Sequence, residues 1–280
     1  MENITVKDYS VSGEEFQLVF DEALEMYKTE PQPSLDTLAS YYESEDYISH
    51  TDAKRNLFEK MYHWVRSYML SKKMSIVDTH TKSDAKKVLD IGCGTGDFLA
   101  MAKKYKWEIE GIEPDAQARK IAAEKTETEI HTNDWLSEIP DNSFDAVTMW
   151  HVLEHVPNLS AQIQTLKRII KPNGSIFIAV PNFKSHDATH YKELWAAYDV
   201  PRHIWHFSQK SIKSLFGKEN MKIVKILPMK FDAYYVSLLS EKHKTGKMNP
   251  IKGFYRGFIS NFKAISSSEY SSLIYVIKNN

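Results

Sequence analysis

Gly92, Gly94 and Gly96 stand within five residues of one another in a chain that has only 10 glycines. Such a cluster lets the main chain turn tightly and approach a ligand closely, and a helix starting near Asp97 would offer free N–H groups to a carboxylate or phosphate. The spacing is G-x-G-x-G with Asp90 just ahead of it. A dinucleotide-binding turn has G-x-G-x-x-G, so the pyrophosphate reading is weakened. Two acids follow, Glu113 in Gly111-Ile112-Glu113-Pro114 and Asp134 in Asn133-Asp134-Trp135. Histidine is the second signal, because His151, His155, His186, His190, His203 and His206 are six of the 11 histidines and fall in a single stretch. Imidazole can act as a base at neutral pH, although a single histidine is more often a satisfied structural residue. His151-Val152-Leu153-Glu154-His155 has the H-x-x-E-H form of a zinc-peptidase helix. Here it starts where an apolar strand ends, which is not the setting of that motif.

The elements that must position these residues can be read from periodicity. Val88–Ile91, Trp107–Ile112, Thr128–His131, Phe144–Trp150 and Ser175–Val180 read as strands, and Phe98–Lys104, Ala116–Glu124 and Leu159–Ile170 as the helices between them. Strands alternating with helices predict an α/β fold with a doubly wound, mostly parallel sheet and a binding crevice at the carboxyl ends of its strands. Lys171-Pro172-Asn173-Gly174 reads as the turn into the fifth strand. The alternation lapses after Pro181, so a lid is expected over about 183–210. Strands return at Ile223–Leu227 and Leu273–Ile277, around a helical insertion at about 235–265. Residues 1–84 read as an N-terminal helical extension ahead of a domain covering 85–280. That extension begins with an amphipathic helix starting at Ser12 and carrying Phe16, Val19, Phe20, Ala23, Leu24 and Tyr27, followed by a short helix at Leu38–Tyr42. A longer one from about Asp52 carries Leu57, Met61, Trp64, Val65 and Met69. Tyr41, Tyr42, Tyr47 and His50 are read as an aromatic face packed on the core.

Composition narrows the function classes. Lys plus Arg is 36 against 37 for Asp plus Glu, a net charge of -1, so no nucleic-acid partner is expected. Hydrophobic residues at 42% support a substantial core, which excludes disorder as the dominant state. The single cysteine, Cys93, has no partner for a disulfide or the usual zinc spacings, and the N-terminus shows no basic region followed by an apolar run. With no long apolar stretch either, a cytoplasmic protein without a membrane partner is expected. Oligomeric state cannot be read from the sequence.

Val88-Leu89-Asp90-Ile91-Gly92-Cys93-Gly94-Thr95-Gly96 resembles the first motif of the class I S-adenosylmethionine-dependent methyltransferases, and later segments fall in the order that family requires. The resemblance runs from Lys86 to the C-terminus, most firmly up to Asn182, and is strongest to the group containing ubiquinone-type O-methyltransferases and uncharacterised bacterial members. It implies a Rossmann-like, seven-stranded methyltransferase fold. It also implies S-adenosyl-L-methionine as cofactor and S-adenosyl-L-homocysteine as product, with Asp90, Gly92, Cys93, Gly94, Gly96, Glu113, Pro114, Asn133, Asp134, Trp135, Trp150 and His151 at the cofactor. Within that set Glu113 would accept from both ribose hydroxyls, Asp134 from the adenine amino group, and Trp135 would border the ring.

The same resemblance implies a methyltransferase; the near-neutral net charge and the aromatic lid favour a small organic acceptor, and the many histidines an oxygen. His151, His203 and His206 are the candidate catalytic bases, and Tyr198, Arg202 and Trp205 the candidate acceptor contacts. Some relatives that methylate oxygen carry E-x-x-E-H where this chain has His151-x-x-Glu154-His155 and bind a divalent ion; with His151 in the first position, no metal is expected. The alternatives are a non-catalytic module that binds S-adenosylmethionine or a partner and, more remotely, a nicotinamide-dependent oxidoreductase, which the glycine spacing disfavours.

Overall fold

A computed structural model describes residues 2–34, 37, 41, 57–81 and 86–280. Its centre is a seven-stranded sheet. Three short strands come first in the chain and form a separate sheet, β1 (Ile4–Lys7), β2 (Glu15–Asp21) and β3 (Met26–Glu30). Helix α1 (Leu57–His80) leads into β4 (Lys87–Ile91), α2 (Asp97–Lys104), β5 (Glu108–Ile112), α3 (Ala116–Thr126), β6 (Ile130–His131), β7 (Phe144–Trp150), α4 (Leu159–Ile169) and β8 (Ile170–Pro181). Beyond these lie α5 (His186–Tyr191), β9 (Trp205–His206), α6 (Gln209–Lys218), β10 (Met221–Pro228), α7 (Asp232–Thr245), α8 (Pro250–Ser267) and β11 (Ser272–Asn279).

The main sheet has the order β10-β11-β8-β7-β4-β5-β6. β4 through β8 run parallel, and β11 pairs antiparallel with both β8 and β10. The chain steps from β4 out to β5 and β6, then returns to β7 on the other side, so the order reverses at β4. A crevice opens at such a reversal, because the helices flanking it leave in opposite directions. The strands beside it are buried runs, with Val88, Leu89, Ala146, Val147 and Met149 all at 0% exposure, as strands covered on both faces must be. The Lys171–Gly174 stretch expected as a turn is instead a bulged start of β8. Pairing with β7 jumps from Phe144↔Ile170 to Ala146↔Ser175, which loops the intervening residues out while the strand direction is kept.

One face of the sheet is covered by α1, whose Met74 and Val77 pack with Val88, Trp107, Ala146 and Phe177. The Trp107 indole N–H donates to Asp78 at 3.2 Å and the Ser175 hydroxyl to the His80 carbonyl at 2.8 Å. The helix read from about Asp52 is therefore a covering layer of this sheet. The expectations at Leu38–Tyr42, Tyr47 and His50 lie outside the described residues, Tyr41 apart, whose ring packs edge-on to Phe16 with centroids 6.1 Å apart.

The amphipathic helix expected between Ser12 and Tyr27 is not formed; the segment is a β-meander. Phe16 and Leu18 alternate inward along β2 while Glu15 and Gln17 face out. The Asp21 carboxylate accepts from the Leu24 N–H at 2.9 Å in the turn to β3. Aromatic and aliphatic residues fit both periods over so short a span. Tertiary contact decides between them: β3 pairs with β9, and Phe16, Leu18 and Tyr27 share a core with Phe183, Tyr191, Trp195 and Tyr198. Meander and post-β8 segment together make the cap, where a lid formed by the latter alone was expected.

Candidate active site at the glycine turn

The turn after β4 is held against the end of β5 by the Gly92 and Cys93 N–H groups, which both donate to the Ile112 carbonyl at 2.8 and 3.0 Å. Its glycines differ in what they exclude. A Cβ on Gly92 would stand 2.5 Å from Val152 Cγ2, and one on Gly96 2.9 Å from Ala122 Cβ, so both serve close packing. At Gly94 a Cβ would meet nothing within 4 Å, yet φ is +53°. There the absent side chain leaves open space beside the backbone, as a ligand-facing turn requires.

Glu113 closes the other side of that space. Its Oε2 accepts from the Gly94 N–H at 2.8 Å and its Oε1 from the Asp115 N–H at 3.0 Å. Burial raises its pKa against the pull of these two N–H groups. Each oxygen keeps a lone pair for a further donor, and two adjacent hydroxyls would meet both. Asp90 accepts from the Thr148 hydroxyl at 2.6 Å. Burial pushes its carboxyl up to about 7, opposed by that hydroxyl and by Lys73. Cys93 is buried and its thiol is pushed up by desolvation, which makes it a packing residue and no nucleophile.

Pro114 follows Glu113, and its carbonyl accepts from Arg119 at 2.9 Å. Asn133, Asp134 and Trp135 lie on a single 3-10 turn after β6. Asn133 and Asp134 are exposed, and Trp135 stacks on His131 with ring centroids 4.0 Å apart. Trp150 ends β7 with its indole N–H buried and without an acceptor, its face 4.6 Å from the Lys73 ammonium. Lys73, on α1, is a site residue that sequence reasoning missed. Burial lowers its pKa, while Asp232 and Asp90 pull the other way. Asp232, at the start of α7, was missed too. No local pattern marks either residue, since each arrives from an element remote in sequence.

His151 directly follows Trp150 with φ +59°. Its Nε2 is 3.1 Å from Asp232 and its Nδ1 3.4 Å from Glu154. Desolvation works against its charge, but the two carboxylates overcome it and hold the ring at about 9. At neutral pH it is an imidazolium between two anions, so in this arrangement it cannot serve as the base expected of it. Val152 packs on Gly92, and Leu153–His155 forms a 3-10 turn. That turn is tied to the cap: the Ile204 N–H donates to the Glu154 carbonyl at 2.8 Å, and the Trp205 indole to the Val156 carbonyl at 2.8 Å.

Within the cap the expected residues separate into two groups. His203 hydrogen-bonds through Nδ1 to the Ala197 carbonyl, and His155 through Nδ1 to the Arg202 carbonyl, each at 2.9 Å. A carbonyl only accepts, so both rings carry a proton on Nδ1, and in the neutral ring Nε2 is then the acceptor. One ring nitrogen from each of these histidines and a Glu154 oxygen lie within 4.8 Å of one another, the one such cluster among the described residues. Chemically this is a donor set for a divalent ion, and it omits His151. The Glu154 charge is already offset by the His151 imidazolium.

His206, Arg202 and Tyr198 are spent on structure. The Thr29 hydroxyl donates to the His203 carbonyl at 2.7 Å, so at its 2.9 Å contact with His206 Nε2 the ring must be the donor. Arg202 donates to Asp199 at 2.6 and 3.0 Å, to Asp8 at 3.2 Å and to the Tyr41 carbonyl at 2.9 Å. These bonds engage all three guanidinium nitrogens within the protein. Tyr198 is packed edge-on between Trp195 and His206.

Comparison with known proteins points to methyltransferases. Residues 61–226 match a family model described as a methyltransferase domain. A ubiquinone biosynthesis O-methyltransferase from Neisseria meningitidis is 31% identical over 119 residues, 39% of this chain and 50% of the relative. A demethylmenaquinone methyltransferase from Bacillus licheniformis is 36% identical over 96 residues, 31% of this chain and 41% of the relative. The chain thus spans about half the length of the curated relatives it matches. Among solved structures, a SAM-dependent methyltransferase from Archaeoglobus fulgidus superposes with a TM-score of 0.54 at 18% identity, over 80% of this chain and 98% of that one. The [4+2]-cyclase SpnF superposes with a TM-score of 0.53 at 18% identity, over 74% of this chain and 80% of that one, so the fold alone does not specify the reaction.

Proposed function

The chain belongs to the class I S-adenosylmethionine-dependent methyltransferase family, and from that premise we propose that it transfers the donor's methyl group to an oxygen of a small organic acceptor. The observation that carries the reading is the pair formed by the open space at Gly94 and the Glu113 carboxylate bridging the Gly94 and Asp115 N–H groups. The residues present fit the cofactor. Glu113 has lone pairs for two ribose hydroxyls, and the exposed Asp134 with the stacked Trp135 suits the adenine end. Lys73, over Trp150, supplies a cation for the carboxylate of the methionine end. The bound cofactor supplies a methyl on a sulfonium, an electrophile that calls for no covalent nucleophile from the protein.

The protein's remaining work is to align the acceptor, exclude water and take one proton. His203 is suited to the last task, because its Nδ1 bond to the Ala197 carbonyl selects, for the neutral ring, the tautomer whose Nε2 is the acceptor. His151 holds its proton at neutral pH and fixes the turn beside the cofactor through Asp232 and Glu154. Trp205, anchored on Val156, forms a wall of the acceptor side. An acceptor of the quinone type is consistent with the names of the relatives from Neisseria and Bacillus.

The test is a thermal-shift comparison of S-adenosylhomocysteine with NAD, followed by a metabolite screen with methyl-labelled donor. Stabilisation by the first ligand and label transfer to a hydroxylated acceptor are expected. Stabilisation by NAD alone would return the oxidoreductase, and cofactor binding without turnover on any acceptor would favour a non-catalytic module.

A further inference from the structure

Helix α8 is built inside out for a helix of a water-soluble core. Its inward face is made of Gly253, Gly257, Ser260 and Ala264, all buried. A Cβ on Gly253 would stand 2.8 Å from the Leu238 backbone and one on Gly257 2.7 Å from the Tyr234 backbone, so α8 lies tight against α7 on small residues. The large residues point the other way. Ile251, Phe254, Tyr255, Phe258, Phe262 and Ile265 are exposed by 84, 63, 58, 53, 66 and 69%. At roughly 100° per residue these six fall in an arc of about 100°, opposite the small face. A contiguous apolar stripe of this size marks a surface meant to be covered.

The charges around the stripe say what covers it. Lys252, Arg256 and Lys263 fall within an arc of about 40° along one flank, at the same helical spacing. Lys244 and Lys247 precede the helix, both exposed, and no Asp or Glu occurs anywhere from 244 to 268. In a chain whose net charge is -1, this is a local excess of positive charge. A second copy of the chain would set like charges against like. An anionic lipid surface takes both features at once, with aromatic and aliphatic side chains entering the headgroup boundary and the basic flank lying at the phosphates.

We propose that the exposed face of α8 docks the chain onto an anionic lipid surface, parallel to the membrane plane. The sequence-based expectation of no membrane partner rested on the lack of a long apolar run. No helix among the described residues is long and apolar enough to cross a membrane, and a helix lying on the surface needs no such length. Docking would bring the site near the bilayer through α7, which supports α8 along its length and presents Asp232 to His151.

The test is sedimentation of the full chain with vesicles of equal parts phosphatidylglycerol and phosphatidylcholine, and with phosphatidylcholine alone. Binding to the anionic vesicles at least about tenfold stronger, and weakened by salt, is expected. Phe258→Ser with Phe262→Ser, both exposed and so compatible with folding, should lower that binding about tenfold or more while leaving the urea unfolding curve in place. Lys252→Glu with Lys263→Glu should lower binding to anionic vesicles about tenfold and leave any weak binding to phosphatidylcholine unchanged. Equal binding to both vesicle types, or wild-type binding by the Phe pair, would overturn the proposal. So would a dimer in sedimentation velocity that the Phe pair dissociates when neither protein binds vesicles, which would assign the face to a second copy.

Discussion

Replacing Glu113 by Ala separates the two tasks the structure gives this carboxylate. Inside the protein it accepts from the Gly94 and Asp115 N–H groups at 2.8 and 3.0 Å. Hydrogen bonds to a charged group contribute about 1.5–3 kcal/mol each when buried. These N–H groups border an open crevice where water can replace the lost oxygens, so the ligand-free protein should lose roughly 1–3 kcal/mol in all. Toward the ligand, loss of a charged acceptor for two hydroxyls should cost about 2–4 kcal/mol, or roughly 30- to 1,000-fold in affinity for S-adenosylhomocysteine. Glu113→Gln keeps one acceptor oxygen but turns an amide donor toward a backbone N–H, and should fall between wild type and Ala. Gly94→Val places a side chain in the space where a Cβ meets nothing; it should abolish binding, with a stability loss of only about 1–2 kcal/mol from its left-handed backbone. The assay is calorimetric titration with S-adenosylhomocysteine, paired with urea unfolding of the ligand-free proteins. An affinity within about threefold of wild type in a folded Glu113→Ala protein would refute the ribose assignment. Unimpaired binding by Gly94→Val would refute the placement of the ligand at the turn.

Chelation should leave methyl transfer intact, because the His151 imidazolium already offsets the buried Glu154; loss of turnover restored by magnesium or zinc would reassign Glu154, His155 and His203 as ligands. His203→Ala should lower turnover roughly 100-fold with S-adenosylhomocysteine affinity within about threefold, measured once an acceptor is in hand. His206→Ala should instead cost about 2–4 kcal/mol of stability in urea unfolding, since it empties a buried site and strips Thr29 of a partner, and Trp205→Ala should mainly raise the acceptor's KM. The folded-state pKa of His151, about 9, lies above its unfolded value, so its stabilisation is complete below the unfolded pKa and is lost as pH rises through about 9. With the side chain 33% exposed, solvent screening reduces the contribution to about 1–2 kcal/mol. His151→Asn, which tolerates the left-handed backbone, should therefore be less stable than wild type near neutrality and converge with it at high pH, and a constant difference across that range would contradict the ion-pair account.

The glycine turn, the acid after the second parallel strand and the strand–helix alternation were legible in the sequence because each is a local demand. Gly92, Gly94 and Gly96 are set by positive φ angles and close packing at alternate positions of one turn, and Glu113 by the end of an apolar strand. The buried strands β4 and β7 show as unbroken apolar runs, since both their faces are covered. The residues between Ser12 and Tyr27 were not legible, because their apolar spacing fits a helix and a strand alike and only pairing of β3 with β9 chooses. Lys73 and Asp232 carried no signal either: each becomes part of the site when α1 and α7 pack against the ends of β4 and β7. The histidines show the same division. Their clustering is visible in the chain, but the use of His206 on Thr29, of Arg202 on Asp199 and Asp8, and of His151 as an imidazolium depends on partners supplied by the N-terminal meander, the cap and α7. Local backbone requirements leave a mark in neighbouring residue types, whereas the proton and hydrogen-bond partner of a side chain are settled by whatever the fold places beside it.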